Sequence, residues 1–357
     1  MAEQKERLIL LRTGFLLAMA LSAALTGRAQ AASFDCGKAS NLLEKTVCTD
    51  PQLSDYDEGI SHAFTTALAP LSPAGRDDLR KGQRQWLRYV QTVCSVDAET
   101  LAGSGQQRAV ECLHGAYLNR QDQLQRASVR GGHYIIAQVD QFLAYPDPPD
   151  ASNTLAGLHP GFASTEISYP QIDDPADASQ KAFNGAVLAW LKSVGGSDNP
   201  TAPQNDDMTL SYEVLMANSQ LISVLLEAND LPHDADHTTA AINNINWLLR
   251  QKRALQDNDV FNRKRPWKPA LKTWVKQALR DNNKACRCLE LGRPGVDGLI
   301  GKSLSADNWL LTKEGLVVQF RPGELGGSAA GAPRVIIPWR KLKPYLATER
   351  VVGLPPK

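Results

Sequence analysis

Cys286-Arg287-Cys288 sets two sulfurs one residue apart, and His233 and His237 stand four apart, so thiols and imidazoles are present at spacings that a zinc site can use. The same cysteine pair can instead bond to itself. That requires a tight backbone turn, because an extended pair with one residue between its members lies near the upper limit of disulfide reach. Aspartates flank the histidines and Pro232 precedes them, the composition of an exposed loop. The disulfide is therefore the expected form, and no metal is expected.

Paired carboxylates are the other candidate chemistry. Asp173-Asp174, with Asp177 nearby, and Asp206-Asp207 hold acids side by side, whereas glycoside hydrolysis needs two carboxyl groups at a set separation across a cleft. Adjacent acids in a loop face water, and these clusters are expected to form a face that steers a basic partner. In the loop from Pro322 to Pro333, Glu324-Leu325-Gly326-Gly327-Ser328 offers a backbone able to enter a partner's groove, with Glu324 meeting basic or catalytic groups there; the alternative is a plain connection between strands. No Gly-x-Ser-x-Gly elbow, His-Glu-x-x-His pair or phosphate loop is present in the sequence. The expectation is a binding protein with no catalytic residue and no cofactor.

The address follows from the first residues. Lys5, Arg7 and Arg12 precede an apolar run from Gly14 to Leu25, and Ala29-Gln30-Ala31 places small residues where a signal peptidase reads. Residues 1–32 are thus expected to be a cleaved signal peptide, since the run is shorter than the ~20 residues of a spanning helix. Cys36 follows Ser33-Phe34-Asp35 and so does not sit where a lipid anchor would be attached. A soluble periplasmic or secreted protein is expected. Its six cysteines would then meet an oxidising compartment, where an even number reads as a disulfide framework.

The elements that must position these groups divide the chain of 357 residues into a helical domain over 33–128, a linker over 129–160 and an α+β domain over 161–350. In the first, Asp50-Pro51 opens a helix with the stripe Leu53, Tyr56, Ile60 and Phe64. A second helix from about Ala74 to Cys94 carries Leu79, Trp86 and Val90, and a third carries Val110, Leu113, Tyr117 and Leu124. Four cysteines allow three pairings. The local one, Cys36 with Cys48 and Cys94 with Cys112, is expected because each bond would staple a junction and contribute roughly 3 kcal/mol. Tyr134–Leu143 reads as a short helix-capable run within the linker. Beyond it, Phe162–Tyr169 alternates as a strand, Ala176–Val194 is a helix, and Leu210–Leu226 is extended with a turn at Asn218. Ile242–Phe261 is a further extended stretch, and Trp267–Leu279 a helix. A hairpin from Trp309 to Phe320, the strand Val335–Pro338 and a short helix from Trp339 close the chain. The fold class expected is a disulfide-stapled helical bundle followed by an α+β domain with an antiparallel sheet.

The run Cys36, Ala39, Glu44, Cys48, Asp50-Pro51, Leu53, Asp57, Gln83, Trp86, Leu87, Cys94, Cys112-Leu113, Tyr117 and Arg120 resembles the LprI-type lysozyme inhibitor N-terminal domain, over residues ~34–127. The usual arginine just before the third cysteine is replaced by Gln91-Thr92-Val93. The closing pattern Leu311-Thr312, Glu314 to Val318, Phe320, Gly331, Val335, Ile337-Pro338-Trp339, Leu342 and Tyr345-Leu346 resembles the domain shared by the lysozyme-sensing anti-sigma factor RsiV and accessory regions of peptidoglycan deacetylases. Ile167, Tyr169-Pro170, Asn184, Asp259 and Phe261 fit the same pattern. The two resemblances imply an envelope protein that binds or inhibits a lysozyme-type hydrolase by cleft occlusion, with peptidoglycan binding and peptidoglycan hydrolysis as alternatives.

Charge adds an independent observation. Residues 133–239 hold fifteen acidic and two basic side chains, and residues 240–357 hold nine acidic and twenty-two basic ones. The halves either pack together and cancel, or they present an acidic face to a basic partner while Arg263-Lys264-Arg265 meet anionic polymer. Nucleic acid is not an expected partner of an exported chain without a recognition motif.

Overall fold

The computed structural model describes residues 32–147, 159, 161–195, 206–233, 238–327 and 330–348. The helical region begins with α1 (Leu42–Thr49), opened by a reciprocal cap in which Asn41 accepts the amide of Glu44 and the Glu44 carboxylate accepts the amide of Asn41. Asp50 accepts the amides of Gln52 and Leu53 at the start of α2 (Pro51–Leu68), with proline at the position where its missing N–H costs nothing. Ser72 opens α3 (Pro73–Val93), and α4 (Ala98–Ala102) and α5 (Gln106–Gln125) follow. Disulfides join Cys36 to Cys48 and Cys94 to Cys112, tying a leading turn to α1 and the end of α3 to α5. Leu53, Leu79, Val90, Leu113 and Tyr117 form the bundle core, where Trp86 meets Tyr117 edge-on at 5.1 Å between centroids.

Seven strands then form one sheet in chain order among the described residues: β1 (Ser128–Arg130), β2 (Ile135–Pro146), β3 (Phe162–Ile172), β4 (Asp206–Ala217), β5 (Leu221–Pro232), β6 (Thr239–Leu248) and β7 (Arg253–Ala254). β2 overturns the expected helix-capable run. Its residues pair antiparallel with β3 from Ile136 to Pro146, and Ile135, Ile136 and Val139 are β-branched side chains that suit that surface. Ala137 and Phe142 of β2 also belong to the bundle core, so this part of the expected linker joins the bundle to the sheet. All pairs are antiparallel except β3 with β4, which α6 (Ala178–Ser193) separates in the chain as a parallel crossover requires. Phe183, Val187 and Leu191 of α6 cover one face, against Ile167, Ile222, Val224 and Leu226. Asn218 makes the turn between β4 and β5, accepting the amides of Gln220 and Leu221.

The remaining chain packs on the far end of the sheet. Its elements are α7 (Asp257–Val260), α8 (Trp267–Cys286), α9 (Val296–Lys302), the three-stranded sheet β8 (Trp309–Leu311), β9 (Gly315–Gln319) and β10 (Arg334–Pro338), and α10 (Trp339–Leu342). The extended stretch expected to reach Phe261 ends at β7, because Asp259 folds back to accept from the Gln256 amide and from Nη1 and Nη2 of Arg253. Phe261 stacks on Trp267 at 4.2 Å within the core of Leu271, Val275, Trp309, Val318 and Phe320. Ser223 and Asn246 of the large sheet bond Leu311 and Trp309 of the small one, the Asn246 amide donating to the Trp309 carbonyl at 2.6 Å. No helix among the described residues is long and apolar enough to cross a membrane.

Candidate functional site

The bundle carries a cleft of about 360 Å³ among α1, α2 and α3. Its floor is apolar, with Leu43, Val47, Ile60 and Trp86 buried, and its rim carries Phe34, Phe64 and Leu87 beside Glu44, Asp57 and Arg88. Local folding explains the rim. Trp86 and Leu87 are adjacent on α3, so the helix turns one into the core and leaves the other 39% exposed. Asp57 accepts both the amide and the hydroxyl of Ser33, which draws the leading segment along the cleft. Glu44 is half-buried, and the backbone amides of Ser40 and Asn41 hold its carboxyl below the usual range, so it stays charged.

Beneath the cleft, α3 lies close on β2 because Gly75 and Gly82 share one helix face. A Cβ on Gly82 would come within 2.7 Å of the Asp140 side chain, and one on Gly75 within 2.5 Å of Asp173. The space is filled by charge. Arg120 donates to Asp140 at 2.9 Å and to Gln83 at 2.9 Å, and its guanidinium lies over Phe142 and Trp86. Gln138 and Ser168 each donate to the second oxygen of Asp140 at 2.7 Å. The ion is thereby paired and hydrogen-bonded, as burial requires.

A second polar array lies at the other end of the same helix and the neighbouring strand ends. Tyr89 of α3 donates to Glu166 of β3 at 2.5 Å, and His159 Nε2 lies 2.7 Å from the Tyr89 hydroxyl and 3.1 Å from Glu166. Ser164 donates to Asp207 at 2.5 Å, and Asp207 faces Nε2 of His233 at 3.2 Å. Asp147 approaches Nδ1 of that ring at 3.1 Å, at ion-pair distance without hydrogen-bond alignment. Burial and the Glu166 charge push the Tyr89 hydroxyl well above its ordinary range. Burial pushes Glu166 up, but the bonds from His159 and Tyr89 outweigh it and hold the carboxyl below its ordinary value. A phenol that stays protonated beside a carboxylate that stays ionised positions the helix against the sheet; neither is tuned to exchange protons near neutrality.

Several expectations are corrected here. His233 is 1% exposed, so it does not sit in an exposed loop; β5 carries it inward between two carboxylates. His237 and Ser328 lie outside the described residues, as does most of the expected signal peptide. The expected acidic partner face is not formed as a unit. Asp207 is buried, Asp206 is half-buried in β4, and Asp173 accepts the amide and hydroxyl of Ser72 at 2.6 Å each, completing the cap of α3, while Asp174 beside it turns through φ 45°. The described residues of the loop after β9 are tied to the fold. Leu325 is in the core, the Glu324 carboxylate accepts the amide of Arg321, and Arg293 donates to the Glu324 carbonyl at 2.7 Å. Cys286 and Cys288 are bonded to each other, and among the described residues no cluster of acids, histidines and cysteines is arranged to hold a metal.

Sequence reasoning passed over Tyr89, Asp140, Asp147, His159, Ser164 and Glu166. Asp140 alone left a signal, an acid inside the apolar stretch from Ile135 to Leu143.

Residues 258–340 match DUF3298, a protein family of unknown function. The DUF3298 match runs from within α7 to within α10 and includes the Cys286–Cys288 turn and the loop after β9. Two solved structures from that family match part of this chain. One, from Bacteroides fragilis NCTC 9343, is 12% identical and has a TM-score of 0.43, covering 63% of this chain and 98% of that chain. The other, from Pseudomonas aeruginosa PAO1, is 12% identical and has a TM-score of 0.39, covering 62% and 98%. No curated protein matches the chain.

Proposed function

We propose that this chain is an exported envelope protein whose bundle cleft binds a partner, and that the partner is a lysozyme-type glycan hydrolase blocked by occlusion of its substrate cleft. One observation carries the reading. Glu44, Asp57, Gln83, Trp86, Leu87 and Tyr117, on which the resemblance to the lysozyme inhibitor domain rests, all line the same cleft. An apolar floor rimmed by carboxylates suits a basic protein that inserts an apolar side chain, and two disulfides hold the walls. The reading assigns no covalent step and no cofactor to this chain.

The test is titration of residues 33–357 against several lysozymes, following binding and lysis together. Saturable binding with loss of lysis supports the reading. Leu87→Asp, at a rim position that folding does not need buried, is expected to weaken binding at least tenfold without changing thermal stability. If no lysozyme binds, or if Leu87→Asp binds as the parent does, the cleft is not the docking site.

A second reading rests on a different surface. Arg263, Lys264, Arg265 and Lys268 are exposed around the start of α8, with Lys268 reaching Asp257 only at 3.6 Å. Such a patch suits an anionic envelope polymer such as peptidoglycan. Sedimentation with peptidoglycan that weakens between low and moderate salt, with no lysozyme binding, would favour it.

A further inference from the structure

Cys286 and Cys288 close the smallest of the three disulfide rings, with a sequence separation of 2 against 12 and 18 for the others. Cys286 is exposed and Cys288 half-buried, as are Cys36 and Cys48, whereas Cys94 is buried in the bundle core. The residue between them, Arg287, is held at φ 51° and ψ 25°, a left-handed conformation that a side chain with a Cβ adopts at a cost. Closing so short a loop removes little freedom from the unfolded chain, so this bond adds least to the fold and breaks with least loss.

The surroundings favour one sulfur as a leaving group. The amide of Cys288 donates to Cys286 Sγ at 3.2 Å. A thiolate on Cys286 is stabilised by that amide, and exchange is faster when the departing thiol is the stronger acid.

We propose that the Cys286–Cys288 bond is a thiol–disulfide exchange site that accepts two electrons from a partner dithiol. The partner's thiolate attacks Cys288 Sγ, the Cys286–Cys288 bond breaks, and Cys286 departs as the thiolate and takes up a proton. The partner's second thiol then loses its proton and attacks the mixed disulfide. It forms the partner's own disulfide and releases Cys288 as a thiol. One disulfide is consumed and one is made. The substrate class is a dithiol peptide or protein in the same compartment, and the site is independent of what the bundle cleft holds.

The chain from residue 33 is incubated in glutathione buffers of graded redox ratio, its free thiols are trapped by alkylation, and its peptides are mapped by mass. Labelling of Cys286 and Cys288 is expected at a reductant level at least tenfold below that needed for Cys36, Cys48, Cys94 and Cys112. In parallel, a reduced dithiol peptide is mixed with the oxidised protein. One equivalent of peptide disulfide is expected per chain, and none with the Cys286→Ser, Cys288→Ser double variant, whose fold is checked by its melting transition. Reduction of all three bonds in one step would overturn the proposal. So would a peptide that stays reduced with the parent protein.

Discussion

Arg120 of α5 and Asp140 of β2 form an ion pair at 2.9 Å with both side chains wholly shielded from solvent. It is a point where the helical bundle and the sheet pack together, since Gln83 and Gln123 accept from the guanidinium and Gln138 and Ser168 donate to the carboxylate. Removing one partner leaves a buried charge unpaired, which costs about 3–5 kcal/mol, whereas replacing both by apolar side chains is often neutral. Arg120→Met is therefore expected to destabilise by that amount. The double change Arg120→Met with Asp140→Leu should recover most of the loss, measured by urea denaturation.

Glycine substitutions should separate close packing from helix propensity. Gly82→Ala would normally help a helix, but its Cβ meets Asp140 at 2.7 Å, and a net loss of about 1–3 kcal/mol is expected. Gly115 is exposed on α5 with nothing within 4 Å of the added atom, so Gly115→Ala should stabilise by about 0.5–1 kcal/mol. Melting temperatures of the two variants should move in opposite directions.

Acid should weaken the fold through Asp50 and Glu166. Burial pushes the Asp50 carboxyl up, but the amides of Leu53 and Gln52 and the nearby His114 together hold it below its ordinary value. Glu166 is likewise held down by His159 and Tyr89 against the effect of burial. A folded value below the unfolded one means that the stabilisation is complete above the unfolded value, near pH 4, and is lost as pH falls through the folded value. Melting temperature followed from pH 6 to pH 3 should fall most steeply below about pH 4. Asp50→Ala, which also loses the cap of α2, should cost about 1 kcal/mol at neutral pH and flatten that fall.

The disulfides should contribute unequally. Cys94–Cys112 closes a separation of 18 and Cys286–Cys288 one of 2. Replacing the first pair by alanine is expected to cost about 3 kcal/mol, and replacing the second about 1 kcal/mol, by the chain-entropy estimate. Guanidinium denaturation of the two double variants compares them directly.

Much of this fold is encoded by near neighbours in the chain. Asp50-Pro51 starts a helix because a carboxylate and a ring act on amides one turn away, and the stripe from Leu53 to Phe64 needs only helical periodicity to face inward. The hairpin around Lys313-Glu314-Gly315 and the local pairing of all six cysteines are decisions of the same short range. The tertiary structure decided what depends on distant partners. Ile135–Pro146 became a strand because β3 offered it a long antiparallel edge, overriding a helix-compatible pattern. Asp207 and His233 went inside because Ser164 and Asp147 were brought to meet them, and Asp173 became a cap because Ser72, a hundred and one positions earlier, arrived beside it. Unlike Asp140 in its apolar stretch, Asp207 and Asp173 carry no mark of burial in their own neighbourhood. Their desolvation is offset only by donors that folding delivers, so polarity alone placed these residues on a surface they do not occupy.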